Sequence, residues 1–188
     1  MRPLVLAGFV LASCGSSPSG DPGAEDACRD AEVAYRSGKY DRAVDRATAA
    51  IACAPDASRP YLLRAKALDA QGKHEEAEND FTRAIEKAPA SSKLVYHFWR
   101  GLFHADRGRT QKALEDLDRA CELQLRYPSP DYYLECYRER AKTYLALDRI
   151  EEAVKDCDFI LSKNPDETTR REFEALRLQA LQKARRNP

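Results

Sequence analysis

Six residues, Gly38-Lys39-Tyr40-Asp41-Arg42-Ala43, return in the same phase as Gly72-Lys73-His74-Glu75-Glu76-Ala77, as Gly108-Arg109-Thr110-Gln111-Lys112-Ala113, and as Asp148-Arg149-Ile150-Glu151-Glu152-Ala153. The alanines that close the four copies stand 34, 36 and 40 residues apart, and Pro55 and Pro89 are also 34 apart. A period of this length restricts the fold to a stack of small units, each of which buries its apolar face only against its neighbours. Twelve residues before each of these alanines lies a small residue, Ala31, Ala65, Gly101 or Ala141, and seven after come Ala50, Ala84 and Ala120, with Ile160 in the fourth unit. Small residues where two antiparallel helices cross let the backbones approach, while Tyr61, Leu68, Phe81, Leu117, Tyr137 and Tyr144 fill the flanks. The glycine between the helices supplies a positive φ, and Pro55, Pro89 and Pro165 stop the second helix; Leu125 stands in that slot in the third unit. Composition agrees: 29 Ala and 19 Leu against 6 Val and 4 Ile favour helix over strand.

Period, small-residue slots and terminal prolines together resemble tetratricopeptide repeats. The resemblance covers about residues 24–186. It implies an all-α right-handed superhelix of four helix pairs, about 24–57, 58–91, 94–127 and 134–167, plus a C-terminal capping helix at about 168–186, so that 24–188 is one domain. Alanines 27, 34 and 47 replace the usual large residues of the first unit, which predicts looser packing there. In the cap, Ala175 takes the small slot. The family's members are mostly binding scaffolds without catalysis, so the resemblance implies a non-enzymatic protein with a protein or peptide partner. Mapped onto the family's concave face, Glu32, Arg36, Arg59, Leu62, Lys66, Asp69, Phe98, Leu102, Asp106, Arg138 and Lys142 are the candidate partner-binding groove. For each charged member, a solvated helix face is the competing reading. The family's carboxylate clamp for chaperone C-termini uses paired asparagines; Glu32 and Leu63 occupy those slots here, which disfavours a cochaperone role.

Ahead of the repeats, Leu4 to Ala12 is an apolar run too short to span a bilayer, which takes about 20 residues, and it follows the charge of Arg2. It ends in Leu11-Ala12-Ser13-Cys14, which resembles the lipobox of bacterial lipoproteins. That resemblance implies a signal peptide at 1–13 and a Cys14 carrying diacylglycerol and a further acyl chain such as palmitate, with the protein held at a membrane surface. Gly15 departs from the aspartate that retains such proteins in an inner membrane, so an outer membrane is favoured if the envelope has two. Residues 14–23, rich in Gly, Ser and Pro, read as a flexible tether.

The lengthened spacing before the fourth unit holds Pro128-Ser129-Pro130-Asp131-Tyr132-Tyr133. Ser129 as cap and Pro130 as first helical residue would lengthen the following helix beyond the stack. Tyr127, Tyr132 and Tyr133 then form an interface candidate; folding back over the neighbouring pair is the equal alternative. If the chain is exported, disulfides are allowed. Cys28 and Cys53 lie at matching ends of one helix pair, and Cys121 and Cys136 across the third-to-fourth connection, which predicts two bridges; Cys157 falls in a core slot as a buried thiol.

No CxxC pair, nucleophile motif or phosphate-binding loop occurs, so neither a metal nor a cofactor is expected, and no small-molecule substrate is evident. His97 and His104 lie seven apart on one helix, about 10.5 Å by helical rise, too far to share a metal or proton. Equal numbers of basic and acidic residues, 31 each, interspersed along the chain, argue against nucleic acid. The function expected is a lipid-anchored scaffold of the bacterial cell envelope that binds a protein or peptide and assists assembly or positioning of a membrane complex. A self-associating structural envelope protein is the alternative, and an auxiliary subunit of an enzyme comes after it.

Overall fold

The computed structural model describes residues 22–186. Among them the chain is all helix: α1 (Pro22–Arg36), α2 (Tyr40–Cys53), α3 (Ser58–Ala70), α4 (His74–Lys87), α5 (Lys93–Ala105), α6 (Thr110–Arg126), α7 (Tyr133–Ala146), α8 (Ile150–Leu161) and α9 (Glu167–Arg186), with a single 3-10 turn at Pro130–Tyr132. They pack as four antiparallel pairs in a right-handed superhelix, with α9 laid against α8. None of these helices is long and apolar enough to cross a membrane.

One turn is used four times. The amide of Lys39 donates to Ala34 O, that of Lys73 to Leu68 O, that of Arg109 to His104 O and that of Arg149 to Tyr144 O, at 2.9–3.0 Å. Each closes the six-residue ring that ends a helix on a left-handed residue. That residue is Gly38, Gly72 and Gly108 in the first three turns; in the fourth it is Asp148, with φ 58°. Between paired helices the small slots are closed, with Ala31, Ala50, Ala65, Ala84, Ala120 and Ala141 at zero exposure. Gly101 is the extreme case: a Cβ there would lie 3.0 Å from Leu117 Cγ. The looser packing expected of the first unit is not seen. Ala31, Ala43, Ala47 and Ala50 are all at 1% exposure or less, because alanine against alanine brings α1 and α2 together without large side chains between them.

A second repeating device is ionic. Arg64 grips Asp80 through Nε and Nη2 at 2.6 and 2.9 Å, Arg100 grips Asp116 at 2.8 and 2.8 Å, and Arg140 grips Asp156 at 2.8 and 2.6 Å. In each pair the arginine precedes the small slot of the first helix and the aspartate is 16 residues on, in the second helix. The remaining Nη1 reaches back to the preceding unit, to Thr48, Thr82 and Asp118 respectively. One side chain thereby ties three helices together and sets how each unit sits on the last. The first unit carries the pair reversed, Asp30 and Arg46, at 3.8 Å with both ends about half exposed.

Several expectations are corrected. Helix α1 already includes Pro22 and Gly23, inside the segment read as a tether. The insertion does not lengthen α7, which starts at Tyr133. The buried amide of Gln124 donates to Ser129 O and accepts from Ser129 N, holding the connection in a bent course, and Pro130–Tyr132 makes the 3-10 turn. The two bridges are not formed, since Cys28, Cys121 and Cys136 are free thiols. Cys28 packs as a free thiol among Ala31, Ala47, Ala50 and Leu63. Cys121 and Cys136 do meet, but as hydrogen-bonded thiols; that contact and burial together push the Cys121 thiol far up. Cys157 is a buried free thiol, pushed up to about 12 by burial. In α9 the buried face is Phe173, Leu176 and Ala180, while Ala175 is exposed because no described helix packs on its side.

Candidate functional site: the inner face of the first helices

The first helix of each pair, α1, α3, α5 and α7, supplies the candidate groove, and the structure separates the expected residues by burial and pairing. Leu62 and Phe98 are core, 8% and 4% exposed, because each turns toward the helices packed beneath it. Most charged members are paired within the chain. Arg59 donates to Glu25 at 2.6 Å and to Glu32 at 2.9 Å, and Arg36 reaches the other oxygen of Glu32 at 2.6 Å. Asp69 is held by Arg107 and by His74. Arg138 binds Glu172 of α9, and Lys142 binds Glu139. These pairs are partly solvent-exposed, so each adds little stability, but together they satisfy most of the groove's charges.

Lys66 is different. Its ammonium sits 3.7 Å over the Trp99 ring and 4.8 Å from that of Tyr35, and among the described residues it has neither hydrogen bond nor ion pair. A cation over two ring faces is held by their quadrupoles, by about 1 kcal/mol or more where water is partly excluded. Burial lowers the Lys66 pKa despite the nearby charge of Glu32, which raises it. The aromatic floor continues along α5: Trp99 Nε1 donates to Tyr132 Oη at 3.4 Å, and the Tyr132 ring stands edge-on to Phe98 with centroids 5.3 Å apart. Tyr133 packs on Tyr137 and Phe159. Tyr132 and Tyr133 thus fold back over the neighbouring pair, and Tyr127, beside Arg126, is half-buried with them. The structure brings Tyr132 to the groove; Leu102 lies half-buried beside this floor and Asp106 is exposed beyond it.

On the opposite side, at the junction of α5 and α6, a cavity of about 400 Å³ is lined by Glu78, His97, Arg100, His104, Lys112, Glu115 and Asp116. His97 Nδ1 donates to Asp116 Oδ1 at 2.9 Å while His104 Nε2 lies 3.8 Å from Oδ2. One aspartate of α6 therefore lies near both histidines, bonded to His97 and out of hydrogen-bond reach of His104. Burial would raise the Asp116 carboxyl, but the hydrogen bonds from His97 and Arg100 outweigh it and hold it below the ordinary range. Burial lowers His104, whose Nδ1 is enclosed without a partner among the described residues. Asp156, equally buried, goes the other way: desolvation exceeds the pull of Arg140. Among the described residues no group of three or more His, Cys, Asp and Glu could hold a metal ion. Cys14 lies outside the described residues, as does the segment read as a signal.

Sequence reasoning missed the arginine clamps, the Lys66 sandwich and the meeting of His97 with Asp116. The first had a signal, an Arg one before the small slot with an Asp 16 residues later in three units. The other two depend on contacts between units and carry none.

The tetratricopeptide repeat model matches residues 28–92 and 62–126. Among curated proteins none is similar in sequence to this chain. Among solved structures, the TPR2B-domain:pHsp70 complex of yeast Sti1 is 25% identical, with a TM-score of 0.60 over 66% of this chain and 98% of that one. The putative kinesin light chain repeats of Podosopora anserina superpose with a TM-score of 0.72 at 18% identity, covering 87% of both chains. A thermophilic TPR protein of Thermus thermophilus gives 0.66 at 22% identity, over 82% of this chain and 81% of that one.

Proposed function

Because the chain belongs to the tetratricopeptide repeat family, whose domains act as protein–protein interaction scaffolds, we propose that it is a lipid-anchored scaffold of the bacterial cell envelope whose concave face binds a protein or peptide segment and positions it within a membrane complex. The observation that carries the binding half is the state of Lys66. The other groove charges named above, Asp106 apart, are satisfied within the chain, whereas this ammonium is held between Tyr35 and Trp99 with no acceptor. A segment that brings a carboxylate to Lys66 and apolar surface to Trp99 and Leu102 gains a charge-assisted hydrogen bond and covers an aromatic face in one step. Such a site selects an acidic segment with an apolar neighbour. The anchoring half is supported by Leu11-Ala12-Ser13-Cys14 after an apolar run. Acylation of Cys14 would fix the groove near a bilayer, and Gly15 favours an outer membrane where two are present.

The Sti1 domain's complex with pHsp70 supports a peptide as occupant of this fold. The occupant here differs in chemistry, because the slots for clamp asparagines hold Glu32, already bonded to Arg36 and Arg59, and Leu63, which is buried. Trp99 is the chain's single tryptophan, so its fluorescence reports the groove directly. Titration with an acidic, leucine-containing peptide should change Trp99 emission saturably, and Lys66→Met should weaken that binding at least tenfold with the far-UV spectrum unchanged. An emission change that survives Lys66→Met undiminished would remove the groove assignment.

A further inference from the structure

The connection between α6 and α7 and that between α8 and α9 lie side by side, and between them is a cavity of about 480 Å³. Its floor is Ile160, which is fully buried, and its walls include Leu134, Tyr133, Pro130 and Pro165. The cavity is built rather than incidental. Gln124, 3% exposed, fixes the Pro128–Pro130 wall through both hydrogen bonds to Ser129. Asp166 fixes the other wall by accepting from Thr168 N, Thr169 N and Thr169 Oγ1 at the start of α9.

The charges at its rim are unequal in availability. Asp166 is an anion whose oxygens are engaged by the first turn of α9, where the helix dipole also offsets its charge. Lys163 is exposed, its ammonium 4.9 Å from the Phe159 ring, with no carboxylate paired to it among the described residues. An apolar chamber with, among the described residues, one uncommitted cation at its mouth complements an apolar group with an anion beside it. We infer that this cavity is a second docking site, for a partner polypeptide segment that inserts a bulky apolar side chain against Leu134 and Tyr133, above the buried Ile160, and sets a neighbouring carboxylate on Lys163. It stands apart from the Lys66 groove and does not depend on that reading. The irregular spacing before the fourth unit, which brings Pro128 and Pro130 into the stack, is what creates it.

The full chain is to be irradiated with a hexapeptide carrying p-benzoylphenylalanine followed by glutamate, and the adducts mapped by mass spectrometry. The matched peptide has lysine for the glutamate. Adducts should fall within the Pro128–Leu134 and Ile160–Pro165 stretches, form at least tenfold more with the glutamate peptide, and reverse that preference in Lys163→Glu, a substitution at an exposed side chain that leaves the fold intact. Adducts on α3 or α5 that respond to Lys66→Glu and not to Lys163→Glu would overturn the second site while sparing the groove. Pocket adducts with yields indifferent to the charge at Lys163, or no adduct at millimolar peptide, would overturn it as well.

Discussion

At Gly101 a single Cβ would stand 3.0 Å from Leu117 Cγ and 3.4 Å from the carbonyl oxygen of Ala113, so the approach of α5 to α6 is set by the absence of a side chain. Gly101→Leu should therefore lower the unfolding free energy by about 1–3 kcal/mol, as overpacked cores do, seen as a lower urea midpoint with unchanged slope. His104 makes a pH prediction. Its folded value lies below 6.5 because burial disfavours the imidazolium more than Asp116 favours it. The folded state then binds fewer protons than the unfolded one, so His104's contribution is complete above pH 6.5 and is lost as pH falls from there toward the folded value. Asp116, whose folded pKa is depressed below 3.8, loses its contribution only in more acid solution and does not confuse that window. Urea midpoints should fall between pH 7.5 and pH 5, and the part of that fall due to His104 should vanish in His104→Gln. An equal fall in the variant would contradict the assignment.

The arginine clamps act between helices, and their energetics follow from burial. Asp116 keeps 6% of its side chain exposed and Arg100 22%, so removing the arginine strands a buried carboxylate beside His97. Arg100→Ala should cost about 2–3 kcal/mol, below the ~3–5 of a fully enclosed pair because the guanidinium edge still meets water. The reversed pair of the first unit, at 3.8 Å and half exposed, should cost under ~0.5 kcal/mol on Arg46→Ala. Chemical denaturation of the two variants compares them directly, and equal losses would refute the burial argument. The same elements show how far the sequence could be read. The four turns were legible because three glycines and an aspartate at fixed phase state a local backbone requirement. The clamps were written there too, but a charged residue on a helix reads as solvated until a second helix covers it. The insertion was misread because its course is set by Gln124, a glutamine inside the preceding helix whose amide finds Ser129 only once folded. The Tyr132 contact with Phe98 and Trp99 crosses between units and leaves no local mark. For the groove, sequence named Lys66 but not its place between two rings without an ion-pair partner among the described residues, which stands out only once most neighbouring charges are seen paired.

At the scale of the molecule, α1, α3, α5 and α7 line one side of the superhelix and the α6–α7 connection lies apart from it, and these are the two faces proposed for binding. Anchoring would decide where those faces work. Cys14→Ala should move the protein from the membrane fraction to the soluble fraction of lysed cells without altering its thermal melt, and unchanged sedimentation with washed membranes would contradict acylation at that residue. The central claim is that the Lys66–Trp99 face holds a partner. The direct measurement places p-benzoylphenylalanine at Leu102, half-buried beside Trp99, in the full-length protein, and irradiates intact cells with and without Lys66→Glu. One discrete heteromeric adduct is expected, its yield falling at least tenfold with Lys66→Glu and unaffected by Lys142→Glu. An adduct indifferent to Lys66→Glu, or one whose mass is that of two copies of this chain, would contradict the claim.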